Sequence, residues 1–157
     1  MPATPPETRA DDPFDVIEFF TDIAIIEQLV RTLMERRLPP GLSMAGYGLM
    51  NHMVRTGQET ASPAALARAL QVTRGAVTGV LHKLSAEGFV ILEPDPRDGR
   101  GKKVRITPAG FAVREAALAA LAPLTARFAA EMDLDALRAV HPTIRDLRNH
   151  LDRNRDG

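Results

Sequence analysis

Thr73-Arg74-Gly75-Ala76-Val77-Thr78-Gly79-Val80-Leu81-His82-Lys83-Leu84-Ser85-Ala86-Glu87-Gly88 is the stretch on which the fold turns. Thr73 is an N-cap residue, able to satisfy an N–H group that a helix's first turn leaves without a partner. Val77, Val80, Leu81 and Leu84 recur at helical spacing and make one apolar face. Gly88 is the left-handed residue that follows a helix end. Just upstream, Ser62 and Pro63 form a cap and first-turn pair that opens a shorter helix with Leu66, Ala69 and Leu70 inward, broken at Gln71 and Val72. Two short helices joined by a tight turn result. Downstream, Phe89-Val90-Ile91-Leu92-Glu93 and Lys102-Lys103-Val104-Arg105-Ile106 read as strands separated by the turn-rich residues Pro94 to Gly101. Lys103 and Arg105 alternate with Val104 and Ile106, so this basic hairpin has a charged face and a packing face.

Working outward, Asp12 to Leu38 carries Phe14, Ile17, Phe20, Ile23, Ile26, Val30, Leu33 and Met34 on a broad helical stripe that calls for two apolar neighbours. Pro39, Pro40 and Gly41 stop that helix. Ser43 caps a second one running to about Arg55, and Thr56 to Ala61 reads as loop. On the other side, Thr107 and Pro108 open a long alanine-rich helix to about Met132. A last helical region carries Leu134, Leu137, Val140, Ile144, Leu147 and Leu151, and Pro123 and Pro142 are each expected to kink or restart the chain. The expected fold is mainly α with a small β-hairpin wing. A winged helix-turn-helix spans 43–107, flanked by an N-terminal dimerisation helix and linker (13–42) and by C-terminal dimerisation helices (108–157), with 1–12 as a disordered arm.

Composition narrows the function. A chain of 157 residues, 45% hydrophobic and 25% charged, suits one globular domain with helical extensions. No apolar run approaches the ~20 residues that cross a bilayer, and the first residues lack the basic-then-apolar order of a signal peptide, so a cytoplasmic protein without a membrane partner is expected. The absence of cysteine excludes disulfides, thiolate metal sites and thiol-based sensing. The four histidines (52, 82, 141 and 150) are scattered, and there is no Gly-rich phosphate loop. No enzyme, no metal and no cofactor is expected. Net charge is zero, yet its distribution is uneven: four Lys/Arg against eight Asp/Glu over 1–37, but seven against four over 73–105.

Ala65-Leu66-Ala67, Val72-Thr73-Arg74-Gly75-Ala76-Val77-Thr78, Leu84-Ser85-Ala86-Glu87-Gly88-Phe89-Val90, Asp95-Pro96-Arg97-Asp98-Gly99-Arg100 and Val104-Arg105-Ile106-Thr107-Pro108-Ala109-Gly110 together resemble the MarR (multiple antibiotic resistance regulator) family in one register. The resemblance implies a homodimer joined through the first and last helices, with one winged module per subunit facing successive major grooves of a palindromic operator in double-stranded DNA. It further implies a transcription regulator, with repression relieved by a small apolar or aromatic effector. The residues allow the dimer, because the alanines of the fifth helix permit close helix approach. The alternative is a winged-helix module for protein–protein assembly without specific DNA binding.

With Val77, Val80, Leu81 and Leu84 inward, Arg74, Gly75, Thr78 and His82 fall on the opposite face and are the candidates for base-edge contact, flanked by Thr73 and Lys83. Arg74 suits guanine O6 and N7, Thr78 a thymine methyl or a phosphate, and His82 and Lys83 phosphate. In the wing, the resemblance makes Asp95 the residue that orients Arg97 for the minor groove, and Arg100, Lys102 and Lys103 are phosphate contacts. Phe19, Phe20, Tyr47, Met50 and Met53 are the effector-binding candidates, although such residues at helical spacing also build cores.

Overall fold

The computed structural model describes residues 13–96 and 98–154, so the arm read over 1–12 lies outside the described residues. In order these form α1 (Pro13–Glu35), α2 (Met44–Arg55), β1 (Thr60–Ala61), α3 (Pro63–Ala69), α4 (Arg74–Ala86), β2 (Val90–Asp95), β3 (Asp98–Ile106), α5 (Pro108–Glu131) and α6 (Leu134–Arg153). The chain divides into two compact units after Arg36. Sequence reading carries the N-terminal segment on to 42. Leu42, however, is buried, and its N–H bonds the Pro39 carbonyl (3.2 Å), so the Pro39–Leu42 turn belongs with the unit that follows.

Side-chain caps set the helix starts where the sequence places them. Ser43 Oγ accepts from Gly46 N (3.1 Å), Ser62 Oγ from Ala65 N (3.1 Å) and Thr73 Oγ1 from Ala76 N (3.1 Å). The helix ends close differently. After α3, Val72 N bonds the Ala67 carbonyl (3.0 Å) and Gln71 takes φ 58°, a left-handed residue without being glycine, which makes the turn between α3 and α4 short. After α4, Phe89 N bonds the Leu84 carbonyl (2.8 Å) while Gly88 sits at φ 73°.

The sheet has strand order β1-β3-β2, antiparallel throughout. β1 pairs Thr60 with Arg105 and Ala61 with Val104, within a segment that reads as loop, because two residues carry no periodicity. The hairpin also extends beyond the strands expected from sequence: pairing continues through Pro94↔Lys102 to Asp95↔Asp98, with an irregularity between Pro94 and Asp95. Proline is tolerated there because β2 is an edge strand and can lack an N–H without breaking a central ladder.

Leu49, Met50 and Met53 of α2, Leu66 of α3, and Val77, Leu81 and Leu84 of α4 form the core with Val90, Val104, Ile106 and the Ala117, Leu121 and Leu124 face of α5. Thr107 locks the junction. Its Oγ1 caps α5 by accepting from Gly110 N (3.0 Å) and donates to the Gly88 carbonyl (2.7 Å), while its own N–H bonds the Phe89 carbonyl (3.0 Å). Pro123 and Pro142 lie inside α5 and α6 and end neither helix. The break comes at Met132 instead, where Asp133 caps α6 by accepting from Asp135 N and Ala136 N (3.0 Å each).

Contrary to the expectation of no apolar run of that length, α5 is long and apolar enough to cross a membrane by length and hydropathy alone. Ten of its residues are alanines, whose small side chains supply little apolar area, and Arg114 is buried on its inward face. Two other helices leave apolar residues uncovered. On α1, Ile17, Ile25, Ile26 and Leu29 are each more than half exposed, and α6 buries none of its residues, leaving Leu134, Leu137, Val140, Ile144 and Leu151 in the open.

Candidate nucleic-acid interface

The burial pattern of α4 separates its faces. Val77, Leu81 and Leu84 are at most 2% exposed and Val80 is half-buried, whereas Thr73, Arg74, Gly75, Thr78, His82 and Lys83 are all exposed on the solvent side. All six recognition-helix candidates are therefore open to solvent. Thr78 Oγ1 donates to the Arg74 carbonyl (2.9 Å), which ties its hydroxyl proton to the helix and leaves its methyl and oxygen lone pairs outward. A Cβ built on Gly79 meets nothing within 4 Å. Gly79→Ala is therefore expected to stabilise the protein by about 0.5–1 kcal/mol, the ordinary glycine-to-alanine gain in a helix interior, and thermal or denaturant melts would read it.

The wing is less basic than its sequence. Glu93 and Arg105 meet diagonally across β2 and β3, with Arg105 Nε 3.3 and 3.4 Å from the two carboxylate oxygens and Nη2 at 3.2 Å. This hydrogen bond, then the charge of Glu93 and more weakly that of Glu59, holds the Arg105 guanidinium above its usual range. Lys103 Nζ lies 3.6 Å from Asp95, too far for a hydrogen bond but within ion-pair range. Lys102 is exposed and has no carboxylate partner among the described residues.

Arg97 lies outside the described residues, as does the side chain of Arg100. A feature of the wing passed over in sequence reading is that the Asp-x-Arg spacing occurs twice, in Asp95-Pro96-Arg97 and in Asp98-Gly99-Arg100. The backbone makes Asp95 and Asp98 cross-strand partners at the hairpin tip.

The effector candidates divide between the two units. Phe19 and Phe20 are exposed on α1, their rings edge-to-face with centroids 5.7 Å apart. Tyr47, Met50 and Met53 are buried in the second unit, Met50 and Met53 completely. Sequence reading also missed Arg114, 9% exposed, whose Nε and Nη2 donate to Asn51 Oδ1 of α2 (3.2 and 2.8 Å) and whose Nη1 donates to Glu115. An arginine set among the alanines of a helix was the signal in the sequence. Its partner 63 residues away was not.

Residues 41–101 match the family model described as the MarR family. Over 54 residues the chain is 39% identical to the multiple antibiotic resistance protein MarR of Salmonella typhimurium, a match that covers 34% of this chain and 38% of the relative, so the chain spans well under half the length of that curated relative. The transcriptional regulator BldR from Sulfolobus solfataricus superposes with a TM-score of 0.71 at 26% identity, covering 91% of this chain and 99% of BldR. A mutant MarR from E. coli complexed with operator DNA superposes with a TM-score of 0.76 at 23% identity, covering 87% of this chain and 99% of the other.

Proposed function

We propose, from the match of residues 41–101 to the MarR family model, that the chain is a transcription regulator which binds double-stranded DNA as a homodimer, laying α4 in the major groove and the wing along the adjacent minor groove. The observation that carries this reading is the open side of α4: Arg74, Gly75, Thr78, His82 and Lys83 stand exposed on a helix that Thr73 caps and whose other side packs into the core. Arg74 and Thr78 read base edges, while Thr73, His82 and Lys83 hold phosphate. On the wing, Asp95 orients Arg97, and Arg100, Lys102 and Lys103 hold phosphate. Lys103 suits that task although it sits beside Asp95, since a lysine amine at 3.6 Å can swing to a phosphate at little loss.

A monomer that leaves the apolar residues of α1 and α6 in water is poorly soluble, and a second copy of the chain covers such surface by symmetry. Dimerisation also sets two α4 helices one helical turn of DNA apart, which is why the operator is palindromic. The finer reading is a cytoplasmic repressor released by a small apolar or aromatic effector. Such a ligand acts only through unequal affinity for the DNA-competent and the DNA-incompetent dimer, and DNA weakens its binding in return.

The purified protein is expected to sediment as a dimer and to retain mixed-sequence and promoter duplexes with an affinity that falls steeply as salt rises, because several Lys and Arg per subunit displace condensed counterions. Retention that does not change with salt, or none at low salt, would favour the assembly-module alternative.

A further inference from the structure

The outer face of the three-stranded sheet is where the sequence promised positive charge and the structure withholds it. Arg105 occupies the centre of that face, on the middle strand, with Thr60 of β1 opposite it on one side and Ile91 of β2 on the other. Its guanidinium is forked onto both oxygens of Glu93 by three N–H···O contacts of 3.2–3.4 Å. Both side chains are open to solvent, 45% and 39% exposed, so nothing buried demands that the arginine be neutralised. An exposed ion pair adds little stability in water. Its effect on a polyanion is larger, since an arginine that already has a carboxylate on its donors must give up that partner, or bring a negative charge along, to reach a phosphate.

We propose that Glu93 is an affinity-limiting residue: a built-in counterion that keeps Arg105 off the phosphate backbone, so that the wing adds its Arg and Lys contacts at the tip without a further phosphate contact from the sheet face. The inference rests on the DNA-binding reading above. Each exposed cation released to a phosphate raises affinity for every duplex alike, so holding one back lowers operator and non-operator binding by the same factor and makes both less sensitive to salt. The repeated, looser pairing of Lys103 with Asp95 one step toward the tip keeps the same alternation of sign along the face.

The test is a salt titration of binding to a mixed-sequence duplex with wild type, Glu93→Gln, Arg105→Gln and the double variant. Glu93→Gln keeps the shape and removes the charge, and is expected to bind this duplex more tightly with a steeper salt dependence. Each added phosphate contact deepens the loss over a fourfold rise in salt by about 3.5-fold, from a slope of about −0.9 per contact, so that two engaged subunits together give about 12-fold. Arg105→Gln is expected to match wild type in affinity and slope, and the double variant to return to the wild-type slope. A purely structural pair would move melting temperature and not the slope. Wild-type retention with an unchanged slope in Glu93→Gln overturns the inference alone, as does a loss of affinity in Arg105→Gln. Wild type that retains no duplex at low salt overturns the DNA-binding reading as well.

Discussion

Gly110→Ala is expected to destabilise the protein by about 3 kcal/mol, the upper end of ordinary overpacking, and to abolish DNA retention near the growth temperature. A Cβ at Gly110 would lie 2.0 Å from the Phe89 carbonyl oxygen and 2.8 Å from Ile106 Cγ2. Ile106 has a side chain that can turn. The Phe89 carbonyl cannot, because it is backbone at the base of the wing and already accepts the Thr107 N–H at 3.0 Å. Relief therefore requires the start of α5 to lift away, which also pulls Thr107 Oγ1 from the Gly88 carbonyl at the end of α4. The recognition helix and the wing both lose the post that fixes them to α5. Denaturant unfolding would read the stability change, with Gly79→Ala as the opposite-signed control. An unfolding free energy within about 0.5 kcal/mol of wild type would show that the junction yields more easily than its backbone geometry allows.

Arg74→Ala and Arg97→Ala are expected to damage DNA binding in different ways. Arg74 begins the exposed face of α4, so its loss should relax preference at one base pair per half-site by about 1–3 kcal/mol if the contact is bidentate to guanine. Arg97→Ala should instead weaken binding across most sequences, with the larger loss at narrow A·T minor grooves, since that contact reads width and potential. Asp95→Ala should resemble a milder Arg97→Ala, because it leaves the charge and removes only its orientation. Competition across a randomised half-site would separate the three, with thermal melts as the folding control. Should Arg97→Ala bind as wild type while Arg100→Ala fails, the second Asp-x-Arg is the working one; should both bind normally, the wing makes no DNA contact.

Much of this was legible in the chain because its causes are local. A cap needs only a hydroxyl three residues before an N–H, so Ser43, Ser62, Thr73 and Thr107 could be recognised one at a time, and helical spacing alone divided α4 into an inward face and an open one. Local patterns misled where a long-range partner changes what a residue does. Thr60 and Ala61 are a strand only because β3 lies beside them, and Pro94 sits in a strand only because that strand is an edge. Arg105 counted as free positive charge until folding set Glu93 against it.

Arg114 was one of two cations in an alanine-rich helix until α2 brought Asn51 within 2.8 Å, and the demand for glycine at 110 exists only because the Phe89 carbonyl stands where a methyl group would be. Helix starts, helix faces and the order of elements follow from interactions within a few residues, whose geometry the backbone dictates. Which charges are spent within the protein and which remain for a partner depends on side chains that only folding brings within a few ångströms, where the electrostatic interaction becomes strong enough to decide it.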